Sequence, residues 1–378
     1  MDAFFAAVEQ ARHPELRGCP VVVGGESAGR GVVSTASYEA RACGVRTAMP
    51  MIQAERLCPD AAFLPVDMAA YTAQRDRLVE LYSTFTDLVE SVSIDEAVLD
   101  VTGSRRLFGP PQAIACRIQE AVRAEYGLSC SVGIGPNRLL AKLAVNLNKP
   151  GGIGELRQTD VHGRLRDLPV RELCGIGPVT EQRLTTLGIV TVGMLQDLPL
   201  ALLTAAFGKS AGELKQLAWG RGPTVVSSDH RLPKSVGREV TFREDTNDRD
   251  YLRATVLGLV DAAMMNLRRQ GLAARTIVLK VRSNTFHTVS RRRTLPVATA
   301  STRPVYGVAV ELLEELAPSV RWVRLVGVSV SSLSGRAFQL SFDDQWREVA
   351  LDEAVDQVRA KYGRSALRLA AVTLEPRV

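Results

Sequence analysis

The sequence has no long apolar run, and nowhere does a positively charged start lead into an apolar segment. A helix that crosses a bilayer needs about 20 consecutive apolar residues. A secretory signal combines a basic start with a shorter apolar stretch. The sequence therefore predicts a cytoplasmic protein that is neither secreted nor inserted in a membrane.

Cysteines are few and scattered, and no two of them form a C-x-x-C pair. There are 6 among 378 residues, at positions 19, 43, 58, 116, 130 and 174. Structural zinc sites and the disulfide frameworks of small secreted domains both need closely spaced cysteines. The cysteines are therefore predicted to be reduced and mostly buried thiols.

The chain is too long for one compact core, and its charge is unevenly distributed. Its length predicts roughly two to four domains. The net charge is +6, but residues 229–336 carry 18 Lys and Arg against 10 Asp and Glu, so the rest is close to neutral. A basic domain favours a polyanionic partner, with nucleic acid the leading candidate. Charge that only maintains solubility is the alternative.

Asp95 and Glu96 stand side by side between two runs rich in β-branched residues. Neighbouring side chains on a straight strand point to opposite faces, so the two carboxylates can share a site only at a turn. We expect a two-residue hairpin tip that joins strands over 89–94 and 97–102. Two adjacent acids favour a divalent cation with oxygen ligands, and a solvated acidic turn is the alternative.

Helical and strand-like patterns alternate in the first 158 residues without a regular βαβ period, which predicts an α+β fold. Helical patterns follow over about 160–225, and a polar stretch near 223–234 predicts a linker. Beyond it, the patterns predict a β-α-β-β-α-β sandwich. Its expected strands are 236–242, 276–282, 291–297 and 323–332, and its expected helices are 248–271 and 303–316.

The segment Cys174-Gly175-Ile176-Gly177-Pro178 has the pattern of a helix-hairpin-helix. Two glycines in a tight turn expose consecutive backbone N–H groups at the start of a helix, which is a site suited to a phosphate. Phosphate contacts position a protein on nucleic acid without reading the bases. We therefore expect Gly175, Ile176 and Gly177 to contact a DNA or RNA backbone.

Two other segments combine polar and basic side chains at helices. Tyr38 and Arg41 lie on one face of a helix expected over 35–43, next to hydroxyls that could help to hold a triphosphate. A helix cap with a surface arginine explains the same residues. Lys142 and Lys149, seven apart, are expected to share one face of a helix that Pro150 ends. That face is either directed at phosphates or simply solvated.

Five segments, in this order, resemble the Y-family translesion DNA polymerases, most closely the bacterial DNA polymerase IV group. They begin at Met1, Ser37, Ser93, Lys149 and Gly175 and read MDAFFAAVE, SYEAR, SIDE, KPGGI and GIG. The resemblance covers about residues 1–335 and implies a right-hand polymerase. Its expected parts are palm and fingers at 1–158 (fingers about 8–66), a helical thumb at 159–226, a linker at 227–235, a little finger at 236–335 and a tail at 336–378.

The resemblance also implies a reaction and its residues. The enzyme would be an error-prone DNA-directed DNA polymerase, a monomer that adds dNTPs to primer–template DNA with two Mg²⁺ ions. Asp95 would be a metal ligand and Glu96 the second active-site carboxylate. Phe5, for which core packing is the ordinary explanation, would exclude the ribose 2′-hydroxyl. The residues implied for the triphosphate are Thr35, Tyr38, Arg41 and Lys149, and those implied for DNA are Gly175, Ile176, Gly177 and Lys142.

The sequence departs from the family pattern at its start. That pattern runs apolar-Val-Asp-Met-Asp-x-Phe-Phe, and its first Asp supplies a third metal-binding carboxylate. Here the chain begins at the Met of the pattern, so this Asp would precede Met1, whereas Asp2 matches the second acid. Either the natural protein begins several residues earlier, or the chain is a truncated or non-catalytic DNA-binding paralogue.

The tail contains a segment that resembles the peptide by which such polymerases dock on a sliding clamp. Residues 338–343 read FQLSFD, and an apolar groove on a clamp would take the anchors of such a peptide. An ordinary strand is the alternative. The residues of the expected clamp peptide are Gln339, Leu340 and Phe342.

Overall fold

The computed structural model describes residues 1–26, 29–227, 232–335, 345–363, 366, 367 and 369, with residues 345 and 346 described by their backbone alone. The chain divides into two compact units, Met1–His230 and Arg231–Val378. Within those described ranges, no helix is both long enough and apolar enough to cross a membrane.

The first unit combines short strands with helices in an α+β arrangement, as predicted. Its strands form three small sheets with the orders β2-β1-β3, β4-β5 and β6-β7. Its elements are α1 (Phe4–Arg12), β1 (Val21–Gly24), β2 (Val33–Ala36), α2 (Tyr38–Ala42), α3 (Met51–Leu57), β3 (Ala62–Pro65), α4 (Met68–Ser83), β4 (Val89–Ser91), β5 (Ala97–Leu99), α5 (Arg105–Phe108), α6 (Pro111–Tyr126), β6 (Val132–Ile134), α7 (Arg138–Leu147), β7 (Ile153–Glu155), α8 (Pro178–Thr186), α9 (Val192–Asp197), α10 (Leu200–Phe207) and α11 (Ala211–Ala218).

Helix α6 shows how the sequence builds this unit. Ile114, Ile118 and Val122 recur every four residues, so they lie on one face, and all three are buried in one apolar cluster. The helix begins with proline at its first position and ends at Gly127, whose φ of 65° is the left-handed conformation that favours glycine. The cluster also contains Phe4 and Tyr71, so α6 supports the start of the chain.

The second unit has the predicted β-α-β-β-α-β order, followed by one more helix. Its four strands form one antiparallel sheet in the order β10-β9-β11-β8. Apolar residues at alternate strand positions pack with the helices into one core. The elements are β8 (Ser235–Thr246), α12 (Arg249–Arg269), β9 (Leu272–Ser283), β10 (Thr288–Thr299), α13 (Thr302–Leu316), β11 (Val323–Gly335) and α14 (Gln345–Tyr362).

The prediction that the cysteines are mostly buried is wrong, because Cys19, Cys43 and Cys116 are exposed and two of the six, Cys58 and Cys130, are buried. Three predictions of local structure are also wrong. The acidic hairpin has strands of three residues each, and its connection is five residues long rather than two. Helix α2 begins at Tyr38 rather than near Thr35, because Thr35 pairs with Val23 in the sheet and Ser37 caps the helix by accepting a hydrogen bond from the Ala40 amide. Helix α7 ends at Leu147, so Lys149 does not share a helical face with Lys142.

Candidate active site

Asp95 and Glu96 lie in the connection of the β4–β5 hairpin. The Val92 and Ser93 amides donate to the Glu96 carbonyl oxygen over 2.9 and 3.2 Å, and these bonds close the turn. The Ser93 hydroxyl donates to Asp95 Oδ1 over 2.6 Å. Both acidic side chains are partly exposed. The turn therefore presents two adjacent, partly exposed carboxylates.

Glu96 is paired with Lys142 of α7. The ammonium group donates directly to Glu96 Oε1, and both side chains are about one-third exposed. The predicted phosphate-directed lysine therefore neutralises the second carboxylate in this structure. The pair ties the hairpin to the N-terminal half of α7.

Met1 and Asp2 lie between the hairpin and the segment that precedes β6. The Met1 amino group donates to the Asp95 carbonyl oxygen over 2.7 Å, and the Asp2 amide donates to the Ser129 carbonyl oxygen over 3.0 Å. Burial lowers the pKa of the Met1 amino group; the positive charge of Lys149 acts in the same direction, whereas Asp95 opposes it. Lys149 is therefore close enough to the Met1 amino group to act on its charge.

Asp2 is a site residue to which the sequence analysis assigned no role. It is 2% exposed, and its carboxylate accepts from the Ser129 hydroxyl at 3.0 Å, from the Ser131 hydroxyl at 2.8 Å and from the Gly151 amide at 2.9 Å. Buried carboxylates need such donors. The sequence signals for Asp2 were its match to the second acid of the family pattern and its position two residues before Phe4.

Phe5 lies on α1 with its ring held flat against a neighbour. The Phe5 and Tyr71 rings are stacked, with centroids 4.2 Å apart and planes 10° from parallel. The Tyr71 hydroxyl donates to Glu9 over 2.7 Å. Burial, together with this hydrogen bond, raises the pKa of Tyr71 well above its usual range. Phe4 is buried in the core, whereas Phe5 is partly exposed.

Tyr38 borders a cavity of about 240 Å³ that Asp2 also lines. Ser37, Ser129 and Pro150 are among the other lining residues. Thr35 and Arg41 are not among them. Arg41 donates through Nε to the Ala36 carbonyl oxygen over 2.9 Å, and its guanidinium carbon lies 4.8 Å from the centre of the Tyr38 ring.

The three residues predicted to contact DNA in the helix-hairpin-helix segment have different environments. Gly175 has a φ of 99°, a conformation that a side chain would strain, and Gly177 precedes α8 with open space where a side chain would be. Ile176 is buried with Leu184, and its amide donates to the Leu173 carbonyl oxygen over 3.0 Å. Ile176 therefore anchors the turn, and its N–H is already used.

The candidate metal ligands are the side chains of Asp95 and Glu96. Throughout the part of the chain that the structure describes, no group of three or more His, Cys, Asp or Glu side chains could hold a metal ion. Carboxylate oxygens are suitable ligands for a hard divalent cation, so Asp95 and Glu96 fit in kind but provide only two side chains. The predicted clamp residues Gln339, Leu340 and Phe342 lie outside the described residues.

Comparisons with known proteins identify the family. Residues 1–146 match the impB/mucB/samB family, residues 159–189 its helix-hairpin-helix motif, and residues 233–342 its C-terminal domain. DNA polymerase IV of Moorella thermoacetica is 39% identical over 375 residues, which are 98% of this chain and 94% of that protein. The chain belongs to the Y family of DNA polymerases. The resemblance found in the sequence is thereby confirmed.

Solved Y-family structures share the fold. A chimera of the Dbh and Dpo4 polymerases has a TM-score of 0.80 at 30% identity, over 89% of this chain and 98% of that one. An insertion ternary complex of Dbh DNA polymerase has a TM-score of 0.61 at the same identity and coverage. This Y-family member is an error-prone DNA-directed DNA polymerase for translesion synthesis, and its family depends on divalent metal ions.

Proposed function

We propose that Asp95 and Glu96 form the catalytic centre at which a primer 3′-hydroxyl attacks the α-phosphate of a bound dNTP and pyrophosphate leaves. The observation that carries this proposal is the hydrogen bond from Met1 to the Asp95 backbone, with Asp2 continuing into the cavity that Tyr38 borders. Met1 and Asp2 are consecutive in the chain, so two adjacent residues connect the acidic turn with a residue that lines this cavity. A solved ternary complex of a relative at 30% identity supports binding of DNA and nucleotide.

In this proposal the carboxylates of Asp95 and Glu96 hold Mg²⁺, as two ions, because paired acids supply the oxygen ligands that it prefers. When bound, the ions would lower the pKa of the primer hydroxyl and neutralise the triphosphate. The Ser93 hydroxyl orients Asp95 by donating to one of its oxygens. Glu96, paired with Lys142 in this structure, would hold the cation in place of that partner, and the Lys142 ammonium group would then be available for DNA.

We assign the triphosphate to Thr35, Tyr38, Arg41 and Lys149. Arg41 and Lys149 supply positive charge, and the Tyr38 hydroxyl is a donor at the rim of the cavity. Phe5 is assigned to sugar selection, because its stacked ring is fixed and partly exposed. Gly175 and Gly177 are assigned to the DNA backbone, with Ile176 holding their turn.

Primer extension with Asp95→Asn tests the proposed centre, and Asp100→Asn is its matched control in the same hairpin. Asp100 accepts from the Thr102 amide over 2.9 Å and belongs to the far end of that hairpin. We expect D95N to lower kcat by at least about a hundredfold while DNA affinity is retained, and D100N to keep its activity. Full activity in D95N would refute the assignment.

A third carboxylate immediately before Met1 completes this proposal. Primer extension would compare the present chain with one that begins apolar-Val-Asp before Met1. Higher kcat in the extended chain, lost again when the added Asp is changed to Asn, supports it. If the extended chain binds DNA but synthesises nothing, the chain is instead a non-catalytic DNA-binding paralogue.

The tail peptide is assigned to a sliding clamp, and the protein is proposed to act as a monomer. Deleting residues 338–343 should remove clamp stimulation of synthesis and leave synthesis without a clamp unchanged. Undiminished stimulation would contradict the assignment. Sedimentation at micromolar concentration tests the monomer.

A further inference from the structure

Two helices of the first unit end at cysteines that are neighbours in space. Cys43 is the residue that ends α2, and Cys58 is the residue that ends α3. Cys58 packs in one apolar cluster with Ala40 and Val45, which flank the Cys43 turn. The Cys43 side chain is close enough to that of Cys58 to raise the Cys58 pKa.

Contacts that do not involve the thiols also bring the end of α2 close to the end of α3. The Val45 amide donates to the Ala40 carbonyl oxygen over 3.2 Å, which folds the chain back at Cys43. A β-carbon placed on Gly44 would lie 3.9 Å from Leu57 Cδ1. The end of α2 is therefore packed directly against the end of α3.

The surroundings of the two sulfur atoms differ. Cys43 is exposed, and its thiol donates to the Glu39 carbonyl oxygen over 3.6 Å. Cys58 is 3% exposed. Burial, with the neighbouring Cys43 thiol, raises the pKa of Cys58 to about 11. An oxidant from solvent therefore reaches Cys43 first, and Cys58 is the protected partner.

We propose that Cys43 and Cys58 form a reversible redox pair that a hydroperoxide converts into an intramolecular disulfide. The Cys43 sulfur attacks the peroxide, the O–O bond breaks, and Cys43 becomes a sulfenic acid while hydrogen peroxide is reduced to water. The Cys58 sulfur then attacks the sulfenic sulfur. The S–S bond forms, the S–O bond breaks, and the leaving hydroxide takes the Cys58 proton as a second water.

The disulfide would act on nucleotide binding through α2, and this step rests on the proposed role of Arg41. Helix α2 has only five residues, and Arg41 is two residues before Cys43. The Arg41 carbonyl oxygen also accepts from Arg46 over 2.6 Å, within the same turn. Bonding Cys43 to α3 shifts this turn and with it the Arg41 guanidinium, which weakens its contact with the triphosphate.

Peptide mapping under non-reducing conditions tests the pair without any need for polymerase activity. After treatment of the full chain with hydrogen peroxide, we expect a linked peptide joining Cys43 to Cys58 that dithiothreitol removes. Cys43→Ser should abolish it. Cys19→Ser is the matched control, because Cys19 is also exposed and its thiol donates to the carbonyl of the residue four earlier, over 3.8 Å.

Primer-extension kinetics test the consequence. The oxidised protein should show a KM for dNTP raised about tenfold, the loss expected for one charged hydrogen bond, with kcat unchanged and recovery after reduction. C43S should be insensitive to peroxide. If Cys43 is oxidised but no linked peptide forms, the proposed pair is wrong. This outcome is read from the wild-type chain, so it does not depend on whether a Cys58→Ser variant folds. A linked peptide with unchanged KM, or a KM effect that persists in C43S, overturns the link to nucleotide binding.

Discussion

At the scale of single residues, Asp2 joins three parts of the site. Its carboxylate accepts hydrogen bonds from Ser129, Ser131 and the Gly151 amide, and its own amide donates to the Ser129 carbonyl oxygen. Gly151 follows Lys149 by two residues. A single buried acid therefore positions both the chain start and the lysine assigned to the triphosphate.

Asp2→Asn should weaken this arrangement, because the amide keeps the shape but replaces an acceptor oxygen by a donor. We expect a loss of about 1–3 kcal/mol in the free energy of unfolding, and a larger rise in KM for dNTP than fall in kcat. Urea unfolding and steady-state kinetics measure the two effects. Asp60→Asn, at an exposed position, should change neither, and an unaltered KM in D2N would contradict the positioning role.

Phe5→Ala should relax sugar selection, because it removes the ring proposed to meet a 2′-hydroxyl. We expect the efficiency of ribonucleotide incorporation relative to dNTP to rise at least about tenfold, since overlap of this kind costs roughly 1–3 kcal/mol. Competition between the two nucleotides in primer extension measures it. Phe4→Leu, at a buried core position, should leave the ratio of ribonucleotide to dNTP incorporation unchanged. If F5A has the same ratio as the wild type, Phe5 does not select the sugar.

At the scale of elements, hydrogen bonds at helix ends decide where several helices begin. Asp67 caps α4 by accepting from the Ala70 amide over 3.1 Å and also pairs with Arg12 of α1 at 3.0 Å. The Ala70 amide, followed by the Arg12 guanidinium, lowers the pKa of the Asp67 carboxyl below its usual value. One partly exposed acid therefore links the first helix of the chain to α4.

The stability contributed by Asp67 should depend on pH. Because the folded pKa lies below the unfolded value of 3.8, the contribution is complete above about pH 5 and is lost as pH falls through the folded pKa. Asp67→Asn should therefore destabilise the protein at neutral pH, and its difference from wild type should shrink below pH 3.8. Thermal unfolding across this range measures it. Asp87→Asn, at an exposed position, controls for the removal of one surface charge, and a constant D67N difference would refute the linkage.

Helix α14 is held on the second unit by buried charge. The Arg268 side chain is 3% exposed, and its guanidinium binds both oxygens of Asp356 over 2.7 and 3.1 Å. Asp352 accepts from the Thr302 amide over 2.7 Å and thereby caps α13. Arg359 pairs with Asp261 at 2.8 Å. These contacts make α14 part of the helical layer.

Asp356→Ala should cost about 3 kcal/mol, because it leaves a buried guanidinium without its bidentate partner. Faster hydrogen–deuterium exchange of the α12 amides, measured in the full chain, would report this loss of stability in the second unit. Arg303→Met is the control, since Arg303 is 85% exposed beside Glu348, and such pairs contribute below about 1 kcal/mol. Equal protection of α12 in D356A and wild type would show that the pair does not hold the helix.

At the scale of the whole molecule, basic residues of the second unit lie on the face of its sheet that is opposite the helices. Ile277, Leu279 and Val281 of β9 are buried toward the helices. Lys280 and Arg282 alternate with them and lie on the opposite face of the sheet. Arg292 of the neighbouring β10 pairs with Val278 and is exposed. A basic sheet face of this kind suits the phosphates of DNA.

The affinity of the full chain for DNA should fall steeply with salt concentration, because bound phosphates release their counterions. Arg292→Ala should reduce the slope of log affinity against log salt by about 0.9, the value for one phosphate contact. Fluorescence titrations at several salt concentrations measure it. Arg249→Met is the control, because Arg249 already pairs with Glu314 at 3.1 Å. An unchanged slope in R292A would exclude a phosphate contact there.

Much of the fold could be predicted because its signals are local. Period-two and helical patterns predicted the six elements of the little finger in their observed order. Local patterns gave the wrong secondary structure where one residue type is common in more than one element. Thr35 was assigned to a helix, but pairing with Val23 places it in a strand, and a pattern of hydroxyls does not distinguish the two. The pairing of Lys142 with Glu96 joins residues far apart in sequence and had no local signal.

By itself, the sequence determined the family, the α+β class and the candidate residues, because these follow from short motifs and from residue periodicity. Only the tertiary structure decided that Met1 contacts the Asp95 turn, that Asp2 is buried among three donors, and that Cys43 meets Cys58. Those contacts join segments separated by many residues. Their geometry depends on how helices and sheets pack, and no local pattern encodes that packing.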